Sequence, residues 1–359
     1  MSVKQEYKTR QIMVGNVAVG GGAPITVQSM CNTDTRDVAA TLRQIAALVA
    51  AGCEIVRCAV PDAAAAAALG PIRTDCPIPL IADIHFDHKL ALAAIEAGVD
   101  ALRINPGNIG DQNKVREVVA ACAERKLPIR IGVNAGSLEK ELLRKHGHPS
   151  AEAMVESALG HIRLLEQLNF DQIKISLKSS NVRRSIEAYR LLAQQVDYPL
   201  HIGITEAGTT WAGTIKSAVG LAPLLIDGIG DTLRISLTGD PVEEVKVGWE
   251  ILKSLDLREK GPEFVSCPTC GRCEIDLISV AEEVERQLQD LPKKLTIAVM
   301  GCVVNGPGEA READVGIAGG RGEGLLFRKG GIVGKVPQDK MVEALVDAAR
   351  KLAAEEEDE

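Results

Sequence analysis

The 359-residue sequence predicts an α/β chain, with a (β/α)8 TIM barrel over residues 1–260 and a smaller domain over residues 261–359. Up to about residue 260, short apolar strand patterns alternate with helical patterns, and eight such units in this length indicate a barrel. An open doubly wound sheet is the runner-up, but no GxGxxG follows the first strand. In the last hundred residues the chemistry changes, with cysteines bunched in CPTCGRC and GCVVNGPGEA.

The eight strands read, in order, ITVQSM from Ile25, EIVRCAV from Glu54, PLIADIHF from Pro79, ALRINPGN from Ala101, PIRIGVNAG from Pro128, QIKISLKSS from Gln172, PLHIGITEAG from Pro199 and TLRISLTGD from Thr232. Helical stretches such as DVAATLRQIAALVAAG, HKLALAAIEAG and VRRSIEAYRLLAQQ separate them, several ending at a glycine cap. The GNVAVGGG segment ahead of the first strand reads as a hairpin plugging the barrel floor. The alanine run Ala63 to Ala68 reads as a surface helix after strand two.

A hydrophobic content of 46% is ample for such a core. Nine cysteines without a secretory signal, and no apolar run of membrane-spanning length, give the expectation of a reducing cytoplasm and no membrane. A net charge of -8 and 3% aromatic residues argue against nucleic-acid binding. The acidic tail EEEDE reads as a solvated helix end.

Side chains alternate along a strand, so the apolar sets Leu102/Ile104, Ile129/Ile131/Val133, Ile173/Ile175/Leu177, Ile202/Ile204 and Leu233/Ile235/Leu237 are expected to face the helices. The alternate positions then point inward: Arg57, Asp83, His85, Arg103, Asn105, Arg130, Asn134, Lys174, Ser176, Lys178, His201, Thr205, Arg234 and Ser236. Barrel interiors are normally filled with branched aliphatics, so this set describes a lined pocket. Six cations, Arg57, Arg103, Arg130, Lys174, Lys178 and Arg234, face Asp83 and Glu206 in a chain that is acidic overall. A focused positive field suits an anionic substrate, and a small diphosphate fits best. Arg130 starts its strand, so a structural role at the barrel bottom stays open for it.

Cys267 and Cys270, then Cys302 some thirty residues on, have metal-ligand spacing. With Cys273 they make a four-cysteine zinc site. With Glu309 they make a three-thiolate iron-sulfur site whose carboxylate corner is harder and more replaceable, hence able to open for substrate. Asn305-Gly306-Pro307-Gly308 reads as a turn between Cys302 and Glu309. Cys31, Cys53, Cys58, Cys76 and Cys122 read as ordinary small barrel residues, with Cys31 able to line the pocket.

Along essentially the whole chain, VQSMCNTDTRD, IVRCAVP, LIADIHF, LRINPGN, IGVNAGSL, KISLKSS, HIGITEAG, LRISLTGDP, CPTCGR and GCVVNGPGEA resemble the bacterial 4-hydroxy-3-methylbut-2-enyl diphosphate synthase family of the methylerythritol phosphate route to isoprenoids. CPTCGR with GCVVNGPGEA is the specific part of that likeness. The resemblance implies a TIM barrel joined to an α+β module resembling those of sulfite reductase, and a 4Fe-4S cluster on Cys267, Cys270, Cys302 and Glu309. It also implies a homodimer in which the cluster domain of one subunit covers the barrel mouth of the other. The implied reaction opens and dehydrates 2-C-methyl-D-erythritol 2,4-cyclodiphosphate, with two electrons from flavodoxin or ferredoxin.

On that reading Arg57, Arg103, Lys174, Lys178 and Arg234 hold phosphate, and Asn134, His201 and Ser236 are neutral donors. Glu206 delivers a proton to a leaving hydroxyl, and Glu309 is the exchangeable ligand. The family pattern has a variable residue at Cys273, which is expected to be a free thiol able to substitute as a fourth thiolate. The alternative is a non-redox phosphate-ligand barrel, a pterin-type transferase or binding protein, with a structural four-cysteine zinc site. A radical S-adenosylmethionine enzyme is set aside because no CxxxCxxC occurs.

Overall fold

The eight strands of the expected barrel are β3 (Thr26–Met30), β4 (Ile55–Ala59), β5 (Leu80–Asp83), β6 (Ala101–Ile104), β7 (Ile129–Asn134), β8 (Ile173–Lys178), β9 (His201–Ile202) and β10 (Thr232–Leu233). They belong to a computed structural model that describes residues 8–109, 111–302 and 312–355. The chain divides into two compact units, Met1–Arg258 and Glu259–Glu359.

In the first unit the strands pair in the order β8-β7-β6-β5-β4-β3-β10-β9. A parallel bridge between Ile175 and Leu200 brings β8 back to β9 and closes the ring. At this seam β9 is only two residues long, so a side chain supplements the ladder. The buried Tyr189 hydroxyl accepts from Leu177 N at 3.0 Å and donates to His201 O at 2.7 Å. The outward Val, Ile and Leu of the strands form one continuous core with the surrounding helices.

Those helices start cleanly because acidic side chains cap them: Asp37, Asp62, Asp87, Asp111 and Asp240 each accept from a backbone N–H of their helix's first turn. The alanine run lies in the helix Ala63–Asp75, but it is not a surface feature throughout. Ala65 and Ala66 are buried in the core that the helix shares with the barrel.

Ahead of the barrel, β1 (Ile12–Val14) and β2 (Val17–Val19) form the antiparallel hairpin that the sequence predicts at the floor. Ile12, Val14 and Val19 are buried against Ile55, Ile81 and Ala101, the inward residues near the starts of β4, β5 and β6. The bottom of the barrel is therefore apolar and closed, and polar chemistry is left to the upper levels.

In the second unit, β11 (Glu263–Ser266), β12 (Thr296–Met300) and β13 (Val315–Gly319) are parallel, while β14 (Glu323–Arg328) and β15 (Gly331–Pro337) continue the sheet antiparallel. Helices Leu277–Leu288 and Met341–Glu355 bury Leu277, Val284, Leu288, Leu345 and Leu352 with strand residues Ile297, Val299 and Ile317. This is an α+β module with its own core. Among the described residues no helix is long and apolar enough to cross a membrane.

Candidate active site

Parallel register sets four inward residues side by side on neighbouring strands: Asp83 faces Arg103, Arg103 faces Arg130, and Arg130 faces Lys174. All four are buried, as are Arg57, Lys178 and His201. Asp83 is the hub. Its Oδ2 lies 3.5 Å from Arg57 Nε, and its Oδ1 accepts from Arg103 Nη1 at 3.1 Å. Burial pushes the Asp83 carboxyl up, but Arg57 and Arg103 outweigh it and hold the group at about 2. Burial likewise lowers Arg57 to about 10, against the pull of Asp83.

Two glycines make room for this crowding. A Cβ at Gly132 would stand 2.8 Å from Arg103 Nη2, so the guanidinium lies across β7 where any other residue would block it. A Cβ at Gly203 would stand 2.7 Å from Lys178 Nζ. At Gly132 the glycine is required by the Arg103 guanidinium, and at Gly203 by the backbone O of Arg234, 2.5 Å from the same Cβ position, together with Lys178.

Toward the strand C-terminal ends sit Lys178 and Asn134, the last residues of β8 and β7, which are in register with each other. Arg234 and Ser236 follow β10 and are half-buried. Arg234 Nη2 lies 3.3 Å from Glu244 Oε2. Glu244, in the first turn of the helix Pro241–Lys253, also accepts from Leu237 N at 2.9 Å and from Ser29 Oγ at 3.4 Å. Sequence reasoning missed Glu244 because a glutamate in a first helical turn reads as a dipole partner. Its signal was the helix starting only seven residues after Arg234, which brings that turn back over the barrel end.

Lys174, Arg130 and His201 occupy a deeper level, early in β8, β7 and β9. Arg130 Nη1 donates to Ser176 Oγ at 3.1 Å, and His201 Nδ1 pairs with Thr232 Oγ1 at 2.7 Å. Burial, then Arg130, lowers Lys174 to about 7. Burial, then Lys178, drives His201 far below its ordinary value, so the imidazole is neutral at pH 7. Among the described residues nothing hydrogen-bonds Lys174 Nζ, His201 Nε2, Arg130 Nε and Nη2, or the side-chain amide of the buried Gln28. Lys174 thus lies below the level of Lys178 and Arg234, with which the sequence grouped it.

Glu206 lies in the loop after β9, exposed, with φ of 52°. A non-glycine residue in the left-handed region costs about 1–2 kcal/mol, and such strain persists where surrounding structure holds it. His85 Nε2 lies 3.2 Å from Arg103 Nη1 at the same end of the barrel. Cys31, Cys53, Cys58, Cys76 and Cys122 are all buried, as small core residues are.

In the second unit Cys267 directly follows β11, and Cys302 lies two residues beyond β12. Because β11 and β12 are parallel, with Ser266 opposite Val299, both cysteines leave the sheet at the same end. Gly301 N–H donates to Cys267 Sγ at 3.2 Å. Cys270 is exposed, Cys273 half-buried and Cys302 buried. Among the described residues no three of the candidate ligands stand in a ready-made array. Glu309 lies outside the described residues. The donor set nevertheless fits a thiophilic metal group: soft sulfur donors at one sheet end, one already accepting a backbone N–H as cluster-bound sulfur does.

Fold and site together give a TIM barrel whose interior is lined with buried cations, followed by a thiol-bearing α+β module. The chain matches the GcpE TIM-barrel domain over residues 9–249 and the GcpE protein C-terminal domain over residues 263–351. It is 73% identical to a 4-hydroxy-3-methylbut-2-en-1-yl diphosphate synthase (flavodoxin) of Geobacter sulfurreducens, over 97% of this chain and 99% of the relative. A Maridesulfovibrio salexigens protein of the same name is 64% identical over 93% of each chain. One from Clostridium perfringens is 61% identical over 94% of this chain and 97% of the relative. The chain belongs to the GcpE family of 4-hydroxy-3-methylbut-2-en-1-yl diphosphate synthases, which are oxidoreductases.

Proposed function

We propose that the chain converts 2-C-methyl-D-erythritol 2,4-cyclodiphosphate to 4-hydroxy-3-methylbut-2-enyl diphosphate in the cytoplasm, with two electrons from flavodoxin. The observation that carries the substrate assignment is the set of cations in the barrel, Arg57, Arg103, Arg130, Lys174, Lys178 and Arg234, gathered around the two buried carboxylates Asp83 and Glu244. Arg57 and Arg103 share Asp83, while Arg103 Nε and Arg234 Nε, like Arg130 Nε and Nη2 and Lys174 Nζ, have no hydrogen-bond partner among the described residues. A diphosphate supplies the missing acceptors, and each charge-assisted bond contributes about 1.5–3 kcal/mol net.

Arg57, Arg103, Lys178 and Arg234 grip the phosphates, with Asn134 and Ser236 as neutral donors at the same end. Lys174 and neutral His201 act from beneath, as a positive field and as a donor or acceptor that adds no charge. Asp83 and Glu244 hold the guanidinium groups in place, so that little side-chain entropy is lost when substrate arrives. Glu206, held in a strained loop, gives a proton to the hydroxyl that leaves as water.

Cys267, Cys270, Cys302 and Glu309 would hold a 4Fe-4S cluster, which supplies electrons one at a time when bound. Support comes from the shared sheet end of Cys267 and Cys302 and from the sulfur-directed N–H of Gly301. The test is iron, zinc and acid-labile sulfide in anaerobically purified protein, followed by turnover of the cyclodiphosphate with reduced flavodoxin. About four irons and four sulfides per chain with turnover support the reading. One zinc and no sulfide would instead give the non-redox barrel.

The homodimer has a candidate surface on the barrel unit. Helix Thr210–Ile226 exposes Trp211, Ile215, Val219 and Ile226 at 79%, 47%, 58% and 55%, one apolar stripe along a single face. A twofold axis through such a stripe buries it against its own copy. Trp211→Glu is expected to lower the sedimentation mass toward that of one chain.

A further inference from the structure

We infer that Cys273 is a reserve thiolate of the metal centre, able to take the corner held by Cys270. The inference rests on the cluster reading above. The segment CPTCGRC turns back on itself: Cys273 N–H donates to Cys270 O at 2.9 Å, which puts the two residues on one short turn. Of the pair, Cys270 is exposed while Cys273 is folded inward.

The direction in which Cys273 is folded matters most. A Cβ on Gly301 would stand 2.6 Å from Cys273 Sγ, so this thiol fills the space that glycine leaves beside the chain. The N–H of the same Gly301 donates to Cys267 Sγ, and the next residue is Cys302. Gly301 is therefore flanked by the sulfurs of Cys267 and Cys273, immediately ahead of a third cysteine. Cys273 Sγ is 3.2 Å from Ile275 O, a weak bond between a thiol and a carbonyl. Binding iron would release that thiol proton to water and free the sulfur from the Ile275 carbonyl, beside the same Gly301 that Cys267 Sγ accepts from. Cys270 must be drawn in from solvent to do the same. A centre with two interchangeable thiolates on one turn can exchange one ligand without losing its metal.

The experiment uses the full chain, purified anaerobically as wild type, Cys270→Ser, Cys273→Ser and the double variant. Iron and sulfide are counted per chain, and the reduced proteins are compared by electron paramagnetic resonance. Cys270→Ser is expected to keep at least half of the wild-type iron and sulfide with a changed spectrum. The double variant is expected to keep less than a tenth, and Cys273→Ser to match wild type. As a check that does not depend on how the double variant folds, iodoacetamide labelling of Cys273 in loaded Cys270→Ser should rise at least tenfold once the iron is chelated. Cys270→Ser as empty as the double variant, or Cys273 labelled equally fast with and without iron, overturns the inference. Wild type without sulfide would overturn the cluster reading itself, and this inference with it.

Discussion

The barrel interior and the cysteine corner solve opposite problems. In the barrel, every cation rides on a strand or directly after one, and ion pairs to Asp83 and Glu244 fix the guanidinium groups at 3.1 to 3.5 Å. In the second unit, residues 267 to 276 between β11 and the next helix have no strand or helix to hold them. The barrel cations are set in place by strands and ion pairs, whereas the thiols have a direction and a sheet end but, among the described residues, no complete array. Loss of one contact is therefore expected to be graded in the barrel, and close to all-or-none in the corner at Cys267 and Cys302, which have no reserve thiol on their own turn.

The largest effect tests that contrast directly. Cys302→Ser is expected to remove iron, sulfide and turnover together while the barrel still binds the cyclodiphosphate, measured by metal analysis and by calorimetry. Retained iron with full turnover would remove Cys302 from the ligand set. Next comes Glu206→Gln, which keeps shape and removes the proton. A loss of at least a hundredfold in kcat with an intact cluster supports proton delivery, and a loss within about tenfold would make Glu206 a structural carboxylate.

How much of this was legible in the sequence follows the same division. All eight barrel strands and the floor hairpin lay in the alternation of Val, Ile and Leu with polar residues, because a strand buried on its outer face records its pairing locally. The inward direction of Arg57, Arg103 and Lys178 came from that alternation too. Depth did not: Lys174 and Lys178 share a face of β8, and only register with β7 shows that Lys174 lies level with Arg130. Glu244 and Tyr189 were missed because their contacts cross from a helix to a strand, a pairing no local period encodes. The spacing of the cysteines gave the expectation of a metal site but not that Cys273 packs on Gly301, which depends on how the loop after β11 folds beside the end of β12.

A third, smaller effect probes how tightly the barrel is built. Gly132→Ala puts a methyl where Arg103 lies. Overpacking of this kind costs about 1–3 kcal/mol. KM for the cyclodiphosphate is expected to rise about tenfold, equivalent to ~1.4 kcal/mol, with kcat less affected. An unchanged KM would show that Arg103 does not contact substrate in this position.

The smallest effect isolates the deep cation from the gripping ones. Lys174 has a folded pKa of about 7, lowered from 10.5 by burial and then by Arg130. Between these values the unfolded chain binds a proton that the folded chain does not. Stability therefore rises with pH from about 7 to about 10.5, and the cost of burying this amine is complete below pH 7. Lys174→Met removes the ionisation, so its Tm should exceed that of wild type by a few degrees at pH 7, with the gap shrinking toward pH 10. A gap independent of pH would mean that packing, not charge, decides the difference. Substrate supplies the counter-charge that this site lacks, so binding at pH 8 should draw a proton onto Lys174. Calorimetry in buffers of different ionisation enthalpy should show uptake in wild type that the variant loses. Equal uptake in both would assign the proton to another group and leave Lys174 a bystander beneath the phosphates.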